Sequence, residues 1–227
     1  MPPSIAAAVD DLSAVVGPRW VRRASPELET YASDGLSTIH SVPNAVVLPA
    51  NRDEVIAVVR TLAAAGVPFV ARGAGTGLSG GAVGDGKSVV IALTRLNRIL
   101  SIDPAGRRAT VEPGVVNARL SDATRPHGLH YAPDPSSQAA CTIGGNVAEN
   151  AGGPHCLKYG VTSNHILELE VVLPTGDVVT LGSPSGEPWG PDLVGLFVGS
   201  EGMFGIATRI TVRLLPLPRS VSTLLAD

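Results

Sequence analysis

Three separate stretches of this chain combine glycine with small polar residues, which gives them the composition of a ligand-binding loop. They cover residues 72–81, 131–153 and 198–206. Glycine has no side chain, so the backbone amides of such a stretch approach a phosphate closely and form an anion-binding hollow without a helix. Any one stretch alone is equally well explained as a flexible surface loop. Three of them at the edges of regular structure predict one extended ligand with a diphosphate and at least one flat ring.

The first stretch contains a literal match to the dinucleotide pattern G-x-G-x-x-G at residues 75–80. In a Rossmann fold those glycines open a helix whose first turn meets the pyrophosphate. Here residues 81–86 follow, and their three glycines disfavour a stable helix. The acidic residue further on, Asp103, lies in a Pro-Ala-Gly turn rather than at a strand end. A Rossmann site for NAD is therefore disfavoured.

Residues 81–88 match the phosphate-loop pattern G-x-x-x-x-G-K-S. That motif also needs a helix after the Lys-Ser pair, to direct backbone amides at phosphate. The following residues, 89–93, are instead typical of a β-strand. We expect Lys87 to be a solvated residue at a strand edge. A phosphate-loop nucleotide-binding protein that uses Lys87 and Ser88 stays as the weaker alternative.

Histidine is the side chain best suited to take a proton at neutral pH. The candidates lie in the second half of the chain, at His127, His130, His155 and His165. His155 is the best of them because it lies beside a glycine-rich stretch, although a loop histidine bonded to backbone explains it as well. No pair of histidines and a carboxylate has the spacing of a metal site, so we predict no metal.

Two charged residues within the glycine-rich stretches are candidates for ligand contacts. Arg72 could anchor a phosphate, although an arginine at a strand end is often simply solvated. Glu201 could brace its loop or contact the ligand directly.

The composition limits the class of protein. Lys and Arg number 17 against 20 Asp and Glu, a net charge of −3, and aromatic residues make up 4%. Nucleic-acid binding needs a basic face or stacking rings, so we predict neither DNA nor RNA as partner. The two cysteines, Cys141 and Cys156, suit plain thiols. With no leader peptide and no apolar run of about 18 residues, we expect a cytoplasmic protein without a membrane span.

The hydrophobic pattern predicts an α+β fold, in which a small βαβ subdomain precedes a larger mixed or antiparallel sheet with flanking helices. Helices are predicted at residues 4–16, with Ser4 as N-cap, and at 54–65, 117–124 and 191–197. Strands are predicted at residues 45–48, 67–71, 88–93, 98–102, 107–112, 166–173, 178–181 and 206–215. The segment 128–160 shows neither helical nor strand periodicity, so we predict turns there.

The motifs, in their order along the chain, resemble the vanillyl-alcohol oxidase flavoprotein family and its PCMH-type FAD-binding domain. The likeness is strongest to the FAD-linked subunit of glycolate oxidase, D-lactate dehydrogenases and D-2-hydroxyglutarate dehydrogenase. Each motif is short, but the ordered set is specific. The motifs are residues 43–49, 72–81, 133–137, 142–146, 150–153, 156–160 and 199–202. The resemblance implies a lead-in segment 1–42, an FAD-binding domain 43–218 with subdomains 43–102 and 103–218, and a tail 219–227.

The resemblance also implies which residues contact FAD. The loop 73–78 would hold the pyrophosphate, residues 136–137 and 142–146 the pyrophosphate and ribityl chain, and Ile206 the adenine. The full set is Arg72, Gly73, Ala74, Gly75, Thr76, Gly77, Leu78, Pro133, Asp134, Ser136, Ser137, Thr142, Ile143, Gly144, Gly145, Asn146, Gly152, Gly153, Tyr159, Gly160, Glu201 and Ile206. Some relatives attach FAD covalently through a histidine where this chain has Thr76, so we predict non-covalent FAD.

The activity implied by the resemblance is oxidation of a small D-2-hydroxy acid, of the glycolate or D-lactate type, by hydride transfer to the flavin N5. The resembled enzymes continue into a substrate-covering domain that this sequence does not contain. We therefore expect either a truncated chain or a flavin module that needs a partner subunit. A non-catalytic FAD-binding subunit is the alternative.

Overall fold

A computed structural model describes residues 5–186, 190–220, 222 and 224–225. The first half of the chain forms α1 (Ile5–Val16), β1 (Val21–Arg22), α2 (Ser25–Glu29), β2 (Ala45–Val47), α3 (Arg52–Ala65), β3 (Phe69–Arg72) and β4 (Val89–Ala92). The predicted N-cap of the first helix, Ser4, lies outside the described residues. The α+β class predicted from the sequence is confirmed.

The first sheet has the strand order β1-β2-β4-β3, with β2, β4 and β3 parallel and β1 antiparallel to β2. Its central strands are wholly buried because α1 and α3 pack on one face and α2 on the other. The strongest predicted helix, α3, begins where the Asn51 side chain accepts the Glu54 amide at 2.9 Å. It ends at Gly66, whose φ of 63° suits glycine.

The strands β3 and β4 are neighbours and run parallel, so the chain must return from one end of the sheet to the other between them. Parallel neighbours usually need a helix for this crossover. Here residues 73–88 cross without one, as a run of turns and bends. The first glycine-rich stretch therefore lies along the edge of the sheet as the crossover itself.

The second half of the chain is built on an antiparallel sheet of order β5-β6-β10-β8-β9. Within it, β5 pairs with β6 and β8 pairs with β9 as antiparallel hairpins. The elements are β5 (Ile99–Asp103), β6 (Arg108–Val111), α4 (Asn117–Thr124), β7 (Leu129–His130), α5 (Ile143–Glu149), α6 (Cys156–Tyr159), β8 (Ile166–Val172), β9 (Val178–Gly182), α7 (Leu193–Phe197), β10 (Ile206–Arg213) and β11 (Leu215–Pro216).

The structure differs from the sequence prediction at residues 128–160, where only turns were expected. This segment contains β7, which pairs with β11, and the helices α5 and α6. The helix α5 forms despite Gly144 and Gly145 because Thr142 caps it and because Ile143 and Val147 are buried. Tertiary burial thus overrides the poor helix propensity of two glycines.

The sheets also place the division between subdomains earlier than residue 102. The strand β5 belongs to the second sheet, so the boundary falls between β4 and β5. Residues 5–42 add α1, β1 and α2 to the first subdomain rather than standing apart from it. The two hydrophobic cores meet where Val172 and Ile206, at the ends of second-sheet strands, pack into the first core. No helix in the described part of the chain has the length and hydrophobicity to cross a membrane.

Candidate functional site

A cleft of about 390 Å³ separates the β3–β4 crossover from α5. Its walls come from all three glycine-rich stretches predicted from the sequence. The lining residues are Ala71, Gly73, Ala74, Gly75, Thr76, Gly77, Leu78, Ser79, Gly81, Ala82, Pro135, Ser136, Ser137, Cys141, Thr142, Gly145, Asn146, Ala148, Glu149, Ala151, Gly152 and Glu201. The volume lies within the range of about 300–1,000 Å³ typical of small-molecule sites.

Contacts with preceding and following segments fix the crossover loop in place. Its Gly77 carbonyl accepts the Gly35 amide at 2.8 Å, and the Gly80 amide donates to Asp34 at 2.9 Å. The Ser79 hydroxyl donates to Glu149 of α5 at 2.9 Å, across the cleft. The loop is therefore held from both sides, so its backbone amides are positioned before any ligand arrives.

Arg72 is buried beneath this loop. Its guanidinium donates to the carbonyls of Ser33 at 2.8 Å, Ala82 at 3.0 Å and Tyr31 at 3.3 Å. Burial lowers the pKa of Arg72, and the nearby Asp34 carboxylate works against that shift. These contacts make Arg72 a brace for the loop, and its predicted role as a phosphate anchor stays a prediction.

The opposite wall begins at α5, whose N-cap is Thr142. Its hydroxyl accepts the Gly145 amide at 3.2 Å. Gly73 of the crossover loop lies directly against that hydroxyl, and a Cβ at Gly73 would overlap it. Glycine is therefore required at Gly73 for the two walls to approach each other.

A second part of this wall consists of residues 133–137 and the turn at Gly152 and Gly153. The Asn117 side chain, which is buried, holds the Pro133 carbonyl at 2.9 Å. Nδ1 of His155 lies 2.5 Å from Oδ2 of Asp134 and joins the two segments. Ser136, Ser137 and Gly152 line the cleft from here.

The third glycine-rich stretch closes the end of the cleft. The Glu201 amide donates to the Ala148 carbonyl at 2.8 Å, and Glu201 adopts a φ of 53°. Behind it lies a smaller cavity of about 60 Å³ with a mostly apolar lining. It shares Gly73, Thr142, Gly145 and Glu201 with the cleft and extends to Ile206. The two spaces therefore follow one another along the seam between the sheets.

The buried polar atoms of the site indicate what the cleft is built to receive. Asn146 is 2% exposed and lines the cleft, yet its Nδ2 has no hydrogen-bond partner among the described residues. A buried amide without a partner costs about 1–3 kcal/mol. A ligand with acceptor oxygens, such as a diphosphate or a ribityl chain, would remove that cost.

Most of the predicted contact residues line one of the two cavities. Arg72, Gly144 and Ile206 line the smaller one. The predicted residues that line neither are Pro133, Asp134, Ile143, Gly153, Tyr159 and Gly160. The cleft also includes residues outside the predicted contact set, among them Pro135, Cys141 and Glu149. One feature of the sequence could have indicated Glu149 as a site residue, namely that this carboxylate lies between Asn146 and Asn150.

The histidines differ sharply in their surroundings. His155 has a side chain that is 66% exposed, and its Nε2 makes no hydrogen bond to a described residue. His165 is buried, with Nε2 bonded to the Tyr159 carbonyl at 2.9 Å. Burial lowers the pKa of both His130 and His165, which keeps these two imidazoles neutral at neutral pH. His127 is exposed and lies away from the cleft.

The phosphate-loop pattern at residues 81–88 leads into the strand β4, so it lacks the helix that the motif requires. Lys87 is exposed, and Ser88 is buried in a turn in which its hydroxyl binds the Asp85 backbone. No group of three or more potential metal ligands occurs among the residues that the structure describes.

Comparison with known proteins gives a consistent set of relatives. Residues 43–182 match a family described as "FAD binding domain". The glycolate oxidase subunit GlcD of Escherichia coli strain K12 is 52% identical over 201 residues, which are 88% of this chain and 40% of that protein. D-lactate dehydrogenase of Anaerostipes hadrus is 41% identical over 184 residues, 81% of this chain and 38% of that protein.

Solved structures share the fold. An alkyldihydroxyacetonephosphate synthase superimposes with a TM-score of 0.84 at 24% identity, over 96% of this chain and 42% of that one. A p-cresol methylhydroxylase gives 0.79 at 24% identity, over 95% of this chain and 44% of that one. This chain thus spans less than half the length of these relatives.

Proposed function

This chain belongs to the FAD-binding domain family and FAD is its cofactor, and from that premise we propose that it is the flavin-holding part of a D-2-hydroxy-acid oxidoreductase. The proposed substrates are of the glycolate or D-lactate type, as the names of the relatives suggest. A further domain or partner subunit would cover the substrate.

The observation that carries the proposal is the cleft itself. Three separated stretches, each predicted as a cofactor contact, converge on one space of about 390 Å³. The buried amide of Asn146 lacks a partner in that space. A dinucleotide with many acceptor oxygens would contact all three stretches and supply the missing hydrogen bond.

Bound FAD would supply the electron acceptor, a flavin ring that takes a hydride from the α-carbon of the hydroxy acid. The residues of this chain would hold it in place. Residues 73–78 line the cleft and would present their backbone amides to the pyrophosphate, and Ser136, Ser137 and the Asn146 amide offer hydrogen bonds to phosphate and hydroxyl oxygens. Because Arg72, Asp34 and Glu149 already fix the loop, little ordering remains to be done on binding.

Oxidation of an alcohol also needs a group that accepts the hydroxyl proton. Within this chain His155 is the candidate, because its Nδ1 is held by Asp134 and its Nε2 makes no hydrogen bond to a described residue.

A two-step experiment tests the proposal. The chain is first titrated with FAD, and quenching of flavin fluorescence should give saturable 1:1 binding, with release on acid precipitation. It is then combined with the remaining domain, and glycolate and the two lactate enantiomers are added anaerobically. Loss of flavin absorbance near 450 nm with D-lactate or glycolate, but not L-lactate, is the expected result. A protein that ignores FAD contradicts the proposal, and FAD binding without bleaching by any 2-hydroxy acid favours the non-catalytic subunit.

A further inference from the structure

We propose that Asp134 and His155 are a positioning pair that joins the two segments of one cleft wall and thereby sets the affinity for FAD. This inference rests on the proposed function, and it concerns two side chains that line neither cavity. The pair acts through its neighbours Ser136, Ser137 and Gly152.

The two segments come from different parts of the chain and have no regular element in common. Residues 133–137 follow β7, and the Gly152–Tyr159 segment leads through a turn into α6. Nδ1 of His155 lies 2.5 Å from Oδ2 of Asp134, 21 residues apart. A carboxylate only accepts, so the imidazole donates, and a bond with an ionised acceptor is stronger than a neutral one.

Close packing surrounds this bond. The backbone carbonyl and Oδ1 of Asp134 lie so near Gly153 that a Cβ there would overlap both. The Tyr159 ring lies against the His155 ring, with centroids 6.4 Å apart, and against the His130 ring at 6.0 Å. The Asp134 side chain is 20% exposed, and its Oδ1 is buried without a partner. The bond to His155 is therefore the one hydrogen bond that this carboxylate makes within the described chain.

The position of the pair links it to the cleft. Asp134 is two residues from Ser136, and His155 is three residues from Gly152, and both of those lining residues face the cleft. Among the described residues no other hydrogen bond joins residues 133–137 to residues 152–159. Without the pair only packing contacts would hold the two segments in register, and binding would have to order them. Preorganised walls bind more tightly because that ordering is complete beforehand.

A double-mutant cycle on FAD affinity tests the inference. The variants are Asp134→Ala, His155→Ala and the double variant, each titrated by flavin fluorescence. We expect each single change to raise the FAD Kd about tenfold, which corresponds to about 1.4 kcal/mol. The double variant should be no weaker than either single one, because the second change removes a bond that is already lost. Additive losses of about a hundredfold, or no change in Kd, would overturn it.

Conservative variants distinguish a positioning role of the pair from a general loss of structure. In His155→Asn the amide nitrogen sits near the place of Nδ1, so this variant should keep nearly wild-type affinity, whereas His155→Gln should behave like His155→Ala. His127→Asn is the matched control, since His127 is exposed and remote from the cleft. Equal affinities for the Asn and Gln variants would contradict the proposal. If the wild-type chain fails to bind FAD, the proposed function itself fails, and this result is distinct from variants that bind as well as the wild type.

Discussion

Individual side chains of the cleft have uses that their residue types did not reveal. Arg72 ends β3 and precedes a glycine-rich loop, a position that favours a phosphate anchor, yet it binds three backbone carbonyls. Two of these, from Tyr31 and Ser33, lie some forty residues earlier in the chain. A local motif carries no information on such distant partners. The glycine positions, in contrast, could be interpreted from the sequence, because glycine is the residue that allows a backbone segment to approach its neighbour closely.

Substitution of Asn146 should have opposite effects on the stability of the apoprotein and on its affinity for FAD. In Asn146→Leu a side chain with the same number and branching of heavy atoms replaces a buried amide whose Nδ2 has no hydrogen-bond partner among the described residues. We expect an unchanged or higher Tm for the apoprotein, and an FAD Kd raised about tenfold through loss of one hydrogen bond. Thermal unfolding and fluorescence titration measure the two effects. A lower Tm with unchanged Kd would make Asn146 purely structural.

At the scale of elements, the regular strands and helices were largely predictable, and α5 was not. The periodicity of Val55, Val58 and Leu62 indicates α3 directly, because one face of it is buried. The helix α5 contains Gly144 and Gly145, and its stability comes from contacts that lie far away in sequence. Gly144 packs on Pro113, and the Gly144 amide donates to the Pro113 carbonyl at 2.8 Å.

The contact between the two cleft walls is testable at Thr142. Thr142→Ala removes the N-cap of α5 and should lower stability by about 1 kcal/mol, whereas Thr142→Ser keeps the hydroxyl and should be near neutral. Gly73→Ala should be destabilising alone, because its Cβ meets that hydroxyl. Combined with Thr142→Ala it should add little further. Urea unfolding of the four variants measures this, and equal cost of Gly73→Ala in both backgrounds would refute the contact.

At the scale of the molecule, two sheets share one seam, and the cleft runs along it. A buried carboxylate ties the halves together, since Glu170 of β8 lies 3.5 Å from Arg52 of α3 and 3.3 Å from Arg209 of β10. Thr208 donates to the same side chain at 2.9 Å. The motifs identified the cofactor and the order of its contacts, but this tie depends on packing between sheets, which no local pattern reports.

Substitution of Glu170 should weaken the contact between the two sheets and lower the free energy of unfolding. Glu170→Ala removes the carboxylate that Arg52 and Arg209 share, while Arg52 keeps its exposed ion pair with Asp53. Since both arginines are roughly half exposed, we expect a cost of about 1–3 kcal/mol rather than that of a fully buried pair. Glu170→Gln keeps the Thr208 bond and should cost less. Asp53→Ala is the control, because its ion pair with Arg52 is exposed. Chemical denaturation measures the three, and equal values for Ala and Gln at Glu170 would exclude a role for the Thr208 bond.

Two histidines, the half-buried His130 and the buried His165, make the fold sensitive to acid. Burial lowers the pKa of His130 and His165 in the folded state, so the unfolded chain takes up protons first as the pH falls below about 6.5. Stability should therefore be full above that pH and decline below it. His165→Gln keeps a partner for the Tyr159 carbonyl and should flatten the decline in Tm between pH 7 and 5. His127→Gln should leave the slope as in the wild type, and an unaltered slope in His165→Gln would contradict this origin.

The crossover between β3 and β4 also affects how readily proteases cleave the chain. The segment that would hold the FAD pyrophosphate is the connection between two adjacent strands, and Leu78 within it is 70% exposed. A protease that cuts there severs the first sheet, whereas bound FAD would shield the site. Turnover of the protein would then follow the supply of its vitamin-derived cofactor. Limited digestion with subtilisin should cut within residues 74–86 of the apoprotein and slow markedly once FAD is added.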